Sequence, residues 1–394
     1  MLDRFSQYQS NILFLLIGTN PLPNYVSGRV LAADGATIYL LHSTDTLKVA
    51  ERLQRLLGRE RPDLTIIPRE IDEADGDEIV AKIGEILWDI GAEGERVGLN
   101  YSGGTKSMAV HAYYTLRKAF PKGCFSYLDA RSLSMVIDPG DQPIQWVSIG
   151  QNLPVGIIDL LQLHGYHIPA KKRPIETPLQ PKLCRAIAEV HTDVQGFSQW
   201  RDWMGTLADA PQLPKPDEYP ALKPVKECFS ELSGGVASEM AVANTLGCSS
   251  LISCAKFFNG GWLEHHSLFV LKSIASAVGL HDCVMSVNPE IRGIRAFDLD
   301  VAAMSGYQLF TVSCIATDQK DKAKEHLFEV FTHARQVGGD EARFGLVCCY
   351  DRPASLQREI SEIWDAEGKI RVFGRADLLN LSDGFLEWFQ TANQ

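Results

Sequence analysis

Gly98-Leu99-Asn100-Tyr101-Ser102-Gly103-Gly104-Thr105-Lys106-Ser107-Met108 is the stretch that decides the fold. An apolar, β-leaning run from Arg96 to Tyr101 enters a small polar loop. A helical pattern leaves it, with Met108, Ala112 and Leu116 at i, i+4 and i+8. The unit is strand, Gly-loop, helix. Glycines let backbone N–H groups approach a ligand closely, and a helix N-terminus favours an anion. Lys106 adds a mobile positive charge. Such a loop suits a phosphate, and a tight βα turn with no ligand fits the same letters. It is not a Walker loop, because Thr105 stands where Gly must precede Lys. It is not a G-x-S-x-G elbow either, because Asn100 replaces the first Gly.

Outward from this loop the pattern repeats. Asn11 to Ile17 reads as a buried strand running into a second Gly/polar loop, Gly18 to Asn24, whose prolines forbid strand continuation. A helix can start near Asn24. Ile38 to Leu41 is a strand that ends in His42-Ser43-Thr44-Asp45. Leu47, Ala50, Leu53, Leu56 and Leu57 then form one helical face. Leu64 to Pro68 reads as a strand and Asp77 to Ile90 as a helix. Cys124 to Leu128 with Asp129 is a further strand, and Ser134–Ile137 and Ile144–Ile149 suit an antiparallel end. Alternating β and α with short links predicts an α/β, doubly wound, mostly parallel sheet. Ligands of such sheets sit beyond the carboxyl ends of the strands. The loops at Gly18, Ser43, Ser102 and Asp129 all fall on that rim.

The chain has 394 residues, enough for two or three domains, with 45% hydrophobic and 22% charged residues and a net charge of −11. That charge argues against a dedicated duplex-DNA binder with a broad basic face. It leaves room for a nuclease with a local basic groove, whose site must itself carry carboxylates. Nine cysteines are scattered without a C-x-x-C pair, so reduced thiols are expected and a zinc site is not. The apolar run Asn11–Gly18 is too short for a membrane span and lacks a basic lead, so a cytoplasmic protein with no membrane partner is expected.

"LLIGTNPLPNYV", "LLHSTDT" and "LNYSGGTKSMA", in that order and spacing, resemble the CRISPR-associated Rossmann fold (CARF) sensor domain over roughly residues 1–150. The resemblance implies a Rossmann-like domain that binds cyclic oligoadenylates, cyclic tetra-adenylate first among them, made by type III CRISPR complexes. It implies a homodimer with the ring on the two-fold axis. Carried over, Gly18, Thr19, Asn20 and Pro21 form the first ligand loop, Ser43 and Thr44 the second, and Ser102, Gly103, Gly104, Thr105 and Lys106 the third. A two-fold dimer duplicates each cation and donor set around a symmetric polyanion.

Residues 151–247 hold proline-rich pieces, among them Pro211, Pro214, Pro216 and Pro220, and short helical patterns. They read as a helical linker, with a winged helix as the alternative. Residues 248–394 begin with Gly260-Gly261-Trp262-Leu263-Glu264 and a helix. Ala296–Val301 then reads as a strand with Asp298 and Asp300 on one face. Gln308–Ala316 reads as a second strand, Lys322–Val337 as a long helix and Phe344–Cys349 as another strand. This order resembles the restriction-endonuclease-like PD-(D/E)xK core, and "GGWLE", "DLDV" and "ARQVGGDEARFGLV" resemble the C-terminal half of the cyclic-oligoadenylate-activated CARF nucleases.

The resemblance implies Glu264, Asp298 and Asp300 as ligands of Mg²⁺ or Mn²⁺, and DNA or RNA as substrate. The Glu-x-Lys of that family is replaced by Ser313 and Ile315. Serine is a poor divalent-metal ligand, and isoleucine cannot orient a water. Asp318-Gln319-Lys320, just downstream, spells D-x-K and offers Asp318 and Lys320 as replacement catalytic residues. Two classes of function therefore stand. One is a metal-dependent nuclease switched on by a cyclic oligoadenylate. The other is a sensor whose nuclease-like domain is dead and acts through a partner, with a ring nuclease that degrades its own ligand as a variant.

Overall fold

The computed structural model describes residues 2–91, 94–215, 217–235 and 237–392, so Pro216 of the proline-rich linker lies outside the described residues. The N-terminal part runs β1 (Ser10–Leu16), α1 (Leu22–Leu31), β2 (Ala32–His42), α2 (Leu47–Glu60), β3 (Thr65–Glu70), α3 (Gly76–Ile90), β4 (Val97–Asn100), α4 (Lys106–Ala119), β5 (Cys124–Asp129), β6 (Ser134–Asp138) and β7 (Gln145–Ser148). The strands form one sheet in the order β3-β2-β1-β4-β5-β6-β7. The first five are parallel, and β6 and β7 close the edge antiparallel. Leu13 to Leu16 are all buried, as a parallel strand with helices on both faces requires. Leu13 and Leu15 pack with α1 and α2, while Phe14 and Leu16 pack with α3 and α4. The chain winds both ways from the β1–β4 pair, which brings the loops at Gly18 and Ser102 side by side at the switch point.

Next come α5 (Ile157–Leu163), α6 (Pro181–Thr192), α7 (Val194–Thr206), α8 (Lys223–Leu232) and α9 (Glu239–Thr245). Apart from isolated bridges at His167 and Ile175, the described residues of 151–247 hold no strand. The last part runs α10 (Trp262–Val278), β8 (Leu280–Val287), the hairpin β9 (Glu290–Ile291) and β10 (Ile294–Arg295), β11 (Leu299–Ser305), β12 (Gln308–Ile315), α11 (Lys320–Gly338), β13 (Arg343–Cys348), α12 (Pro353–Trp364), β14 (Ile370–Phe373) and α13 (Leu381–Thr391). Its sheet has the order β14-β13-β12-β11-β8.

Strand alternation splits this second sheet between two cores. Val301, Ala303, Phe310 and Val312 pack with α6, α7, α8, α10 and α13. Ala302, Met304 and Leu309 pack against the N-terminal sheet's α1–α2 layer and α5. Helices α6 to α9 are thus built into the C-terminal core, while α5 packs in the core between the two sheets. All nine cysteines are free thiols. Among the described residues no helix is long and apolar enough to cross a membrane.

Candidate functional site

The first candidate site is on the rim of the N-terminal sheet. Asn24 Nδ2 donates to the Leu16 carbonyl at 2.9 Å, and Asn20 Oδ1 accepts from Leu22 N–H at 3.1 Å, fixing the loop after β1. Gly18 lies against Gly104, where an added Cβ would stand 3.0 Å from the Gly104 nitrogen. A Cβ on Gly103 would strike the Leu16 carbonyl, and Gly104 holds φ +74°. The two loops interlock only as glycine backbone. They open a pocket of about 320 Å³ lined by Gly18, Thr19, Asn20, Pro23, Ser102, Gly103 and Gly104.

The other sequence-expected ligand residues are spoken for or stand outside that wall. Pro21 occupies the position before α1 and does not line the pocket. Ser43 N–H donates to Thr46 Oγ1 at 3.0 Å, and the Thr44 hydroxyl donates to Glu70 at 2.6 Å. Ser102 lines the pocket, but its hydroxyl accepts from Leu128 N–H at 2.7 Å. Thr105 is the N-cap of α4: its hydroxyl accepts from Met108 N–H at 3.2 Å and donates to the Glu73 carbonyl at 2.6 Å. Lys106 is exposed on the first turn of α4.

The far wall of the pocket comes from the C-terminal part, which sequence reasoning missed. Asp340 and Glu341, just past the end of α11, line it. A Cβ on Gly339 would strike the Asn20 side chain. Glu341 is 2% exposed, and burial pushes its carboxyl up to about 7. The Asp340 charge adds to the rise, while Arg343 and Lys369 oppose it. A Gly-Gly helix stop was legible at Gly338-Gly339, but its contact with a loop over three hundred residues earlier carried no local signal.

The second candidate site lies where β11 begins and β12 ends. The ladder pairs Val301 with Val312, so one step on Asp300 and Ser313 face each other on the same side. Ser313 Oγ donates to Asp300 Oδ2 at 2.9 Å, and Cys314 N–H donates to the same oxygen at 2.8 Å. His326, on α11, meets Ser313 Oγ through Nδ1 at 3.2 Å. Glu264, on the first turn of α10, faces Asp300 and accepts from Ser286 Oγ at 3.3 Å. Burial first, then the Asp300 charge, pushes the Glu264 carboxyl up to about 7, with Lys256 acting the other way. Beside the site is a cleft of about 490 Å³ lined by Arg201, Lys256, Asn259 and Ala316.

Three expected catalytic residues are not brought to this site by a strand or motif. Asp298 lies outside β11, which starts at Leu299. It is ion-paired to Arg295 of the β9–β10 hairpin and does not share a strand face with Asp300. Lys320 begins α11 and pairs with Glu359 of α12 at 2.6 Å, so the D-x-K reading is not assembled with Asp300. Asp318 stands in the link between β12 and α11, where its charge acts on Cys349 rather than on Glu264. Among the described residues no three His, Cys, Asp or Glu side chains cluster tightly enough to enclose a metal. Two facing carboxylates still fit a hard cation such as Mg²⁺, which takes one or two carboxylates, a substrate phosphate and waters. The adjacent His265 and His266 are buried, with His265 accepting from Leu179 N–H and His266 bonded to the Leu378 carbonyl, and they hold the core together.

Residues 253–392 match the family described as Card1-like, endonuclease domain. No curated protein matches the chain. Among solved structures the chain is similar to Can2 from Sulfobacillus thermosulfidooxidans in complex with cyclic tetra-adenylate, with TM-score 0.69 at 17% identity over 99% of both chains. It is also similar to protein VC1899 from Vibrio cholerae, with TM-score 0.70 at 17% identity over 97% of this chain and 98% of that one. The fold is therefore that of a two-part α/β protein with a Rossmann-like first sheet and a second sheet in the region that matches the endonuclease-domain family.

Proposed function

We propose that this chain is a type III CRISPR effector in which a cyclic oligoadenylate, taken by the glycine pocket, switches on a nuclease that cuts DNA or RNA at Glu264 and Asp300. One observation carries the reading: α11 touches both places. Its C-terminal end presents Gly339 to Asn20 and Glu341 to the pocket, and its His326 reaches Ser313 about 20 Å away along the helix axis. A ligand that moves the Asp340–Glu341 wall therefore acts on a helix that also braces the Asp300 site.

Bound Mg²⁺ or Mn²⁺ would be held by Glu264 and Asp300 and would supply Lewis-acid charge at the scissile phosphate. The chain's own groups do the rest. Asp300 is oriented by Ser313 and the Cys314 N–H, and Lys256 and Arg201 give the neighbouring cleft a positive lining for a phosphate chain in an otherwise acidic protein.

Glycine N–H groups in the pocket, and Lys106 exposed on the first turn of α4 outside its wall, are the donors for a polyanion. Lys106→Ala is expected to weaken cyclic tetra-adenylate binding about ten- to a hundredfold, the loss of a charge-assisted contact worth roughly 1.5–3 kcal/mol. Calorimetry with an unchanged affinity would place the phosphate contact elsewhere. The Thr105 hydroxyl, tied up as both donor and acceptor, is withdrawn from ligand cleavage, which favours a sensor over a ring nuclease.

The sensor is read as half of a two-fold dimer. Val110 and Tyr114, one turn apart on α4, are 64% and 65% exposed, and Trp88 on the adjoining α3 is 87% exposed. Such a stripe suits an isologous contact. Tyr114→Glu is expected to give a monomer by light scattering and to weaken ligand binding. A wild-type monomer in both ligand states would end the shared-pocket reading. The second reading, a sensor that acts through a partner, is favoured by Ile315 on β12 and by the capture of Lys320 by Glu359.

A further inference from the structure

We propose that His326 is a catalytic residue, its ring accepting the proton of the water that attacks a nucleic-acid phosphodiester held at Glu264 and Asp300. The inference rests on the nuclease reading above and says which group replaces the missing strand lysine. The hydrogen bonds say which ring nitrogen carries a proton. Asp300 Oδ2 is an acceptor, so the Ser313 hydroxyl spends its one hydrogen on it at 2.9 Å. Ser313 Oγ can then only accept from His326, which puts the proton on Nδ1 at 3.2 Å. A neutral imidazole protonated at Nδ1 carries a lone pair at Nε2. Among the described residues Nδ1 is the ring atom with a hydrogen bond, and Nε2 is not a buried, unpartnered atom.

The ring is also held in place. Val330 is buried one turn further along α11, and His333, a turn beyond, stacks on Phe297 at 4.9 Å. Val330 shares a core with Phe344 and Leu346 of β13, so this face of α11 lies on the second sheet, and His326 is half-buried on it. Ile315, two residues beyond Ser313 on the same strand face, offers no nitrogen. The chain Asp300–Ser313–His326 thus orients a base from the helix side. In the step, the water oxygen bonds to phosphorus and the bond from phosphorus to the leaving ester oxygen breaks. Nε2 takes the water's proton, and the leaving oxygen takes one from solvent. The alternative is that the same bonds merely tie α11 to the sheet.

The test uses the full chain with cyclic tetra-adenylate, Mn²⁺ and end-labelled RNA and DNA. His326→Asn keeps a donor for Ser313 and loses the base. His326→Ala loses both and leaves room for added imidazole. Both are expected to cut at least ~100-fold more slowly than wild type, the usual size of a lost general base. Calorimetry should show Mn²⁺ and cyclic tetra-adenylate affinities within threefold of wild type, and imidazole should restore part of the rate of His326→Ala. Wild-type rates in His326→Asn would overturn the inference and leave the nuclease reading standing. A loss in both variants that follows lost Mn²⁺ affinity, with no rescue by imidazole, would overturn it in favour of a brace. A wild-type protein that cuts nothing would overturn both.

Discussion

Asp300→Ala is expected to lower ligand-dependent cleavage by roughly 10²–10³-fold or more, the scale on which one preorganised electrostatic group is lost. The carboxylate sits at the junction of the site. One oxygen takes the Ser313 hydroxyl and the Cys314 N–H, and its charge is what helps keep the Glu264 proton on. Removing it leaves one carboxylate for a cation and frees Ser313 from its role in orienting His326. Ligand affinity should not change, because the pocket is at the other end of α11. Asp300→Asn separates charge from shape: it keeps an acceptor for both donors and should still fail. Gel assays of cleavage with calorimetry of Mn²⁺ check this. Near-normal cutting by Asp300→Asn would move the metal to other residues.

Glu341→Gln should strengthen ligand binding above neutral pH and do nothing below about pH 5.5. The carboxyl titrates near 7 in the fold against 4.5 in an unfolded chain. The folded state binds the extra proton, so the stability this group contributes is complete below 4.5 and is lost as pH rises through 7. The full span is about 3 kcal/mol at 1.36 kcal/mol per unit. Glutamine removes that loss, so the variant should melt higher than wild type at pH 8 and alike at pH 5. A polyanion meets the same charge, which is present at pH 8 and absent at pH 5. An affinity difference that does not depend on pH would show that Glu341 does not face the ligand.

The N-terminal sheet was legible because its signals are local. Each strand, polar loop and helix is contiguous in sequence, and the glycines at 18, 103 and 104 are demanded by the close approach of two backbones. Which hydroxyls were free was not legible. Thr105 looks like a ligand donor in a loop, yet a helix cap and the Glu73 carbonyl claim its hydroxyl. Asp298 was misplaced because a short hairpin, β9–β10, ends just before it and supplies Arg295 as its partner. Lys320 met Glu359 across two helices, a pairing that spacing does not reveal. His326 and Glu341 were missed for the same reason: each acts through a contact between separate elements. The linker looked separate because its prolines break helices, but the apolar faces of α6 to α9 complete one core of the second sheet and α5 packs in the core between the sheets.

The most direct measurement is cleavage by the wild-type protein of labelled single- and double-stranded RNA and DNA, with Mn²⁺, in the presence and absence of cyclic tetra-adenylate. The account predicts cutting of at least one substrate that requires both the ligand and the metal and disappears in Asp300→Ala. Ligand binding without any cutting, or cutting that ignores the ligand, would contradict it.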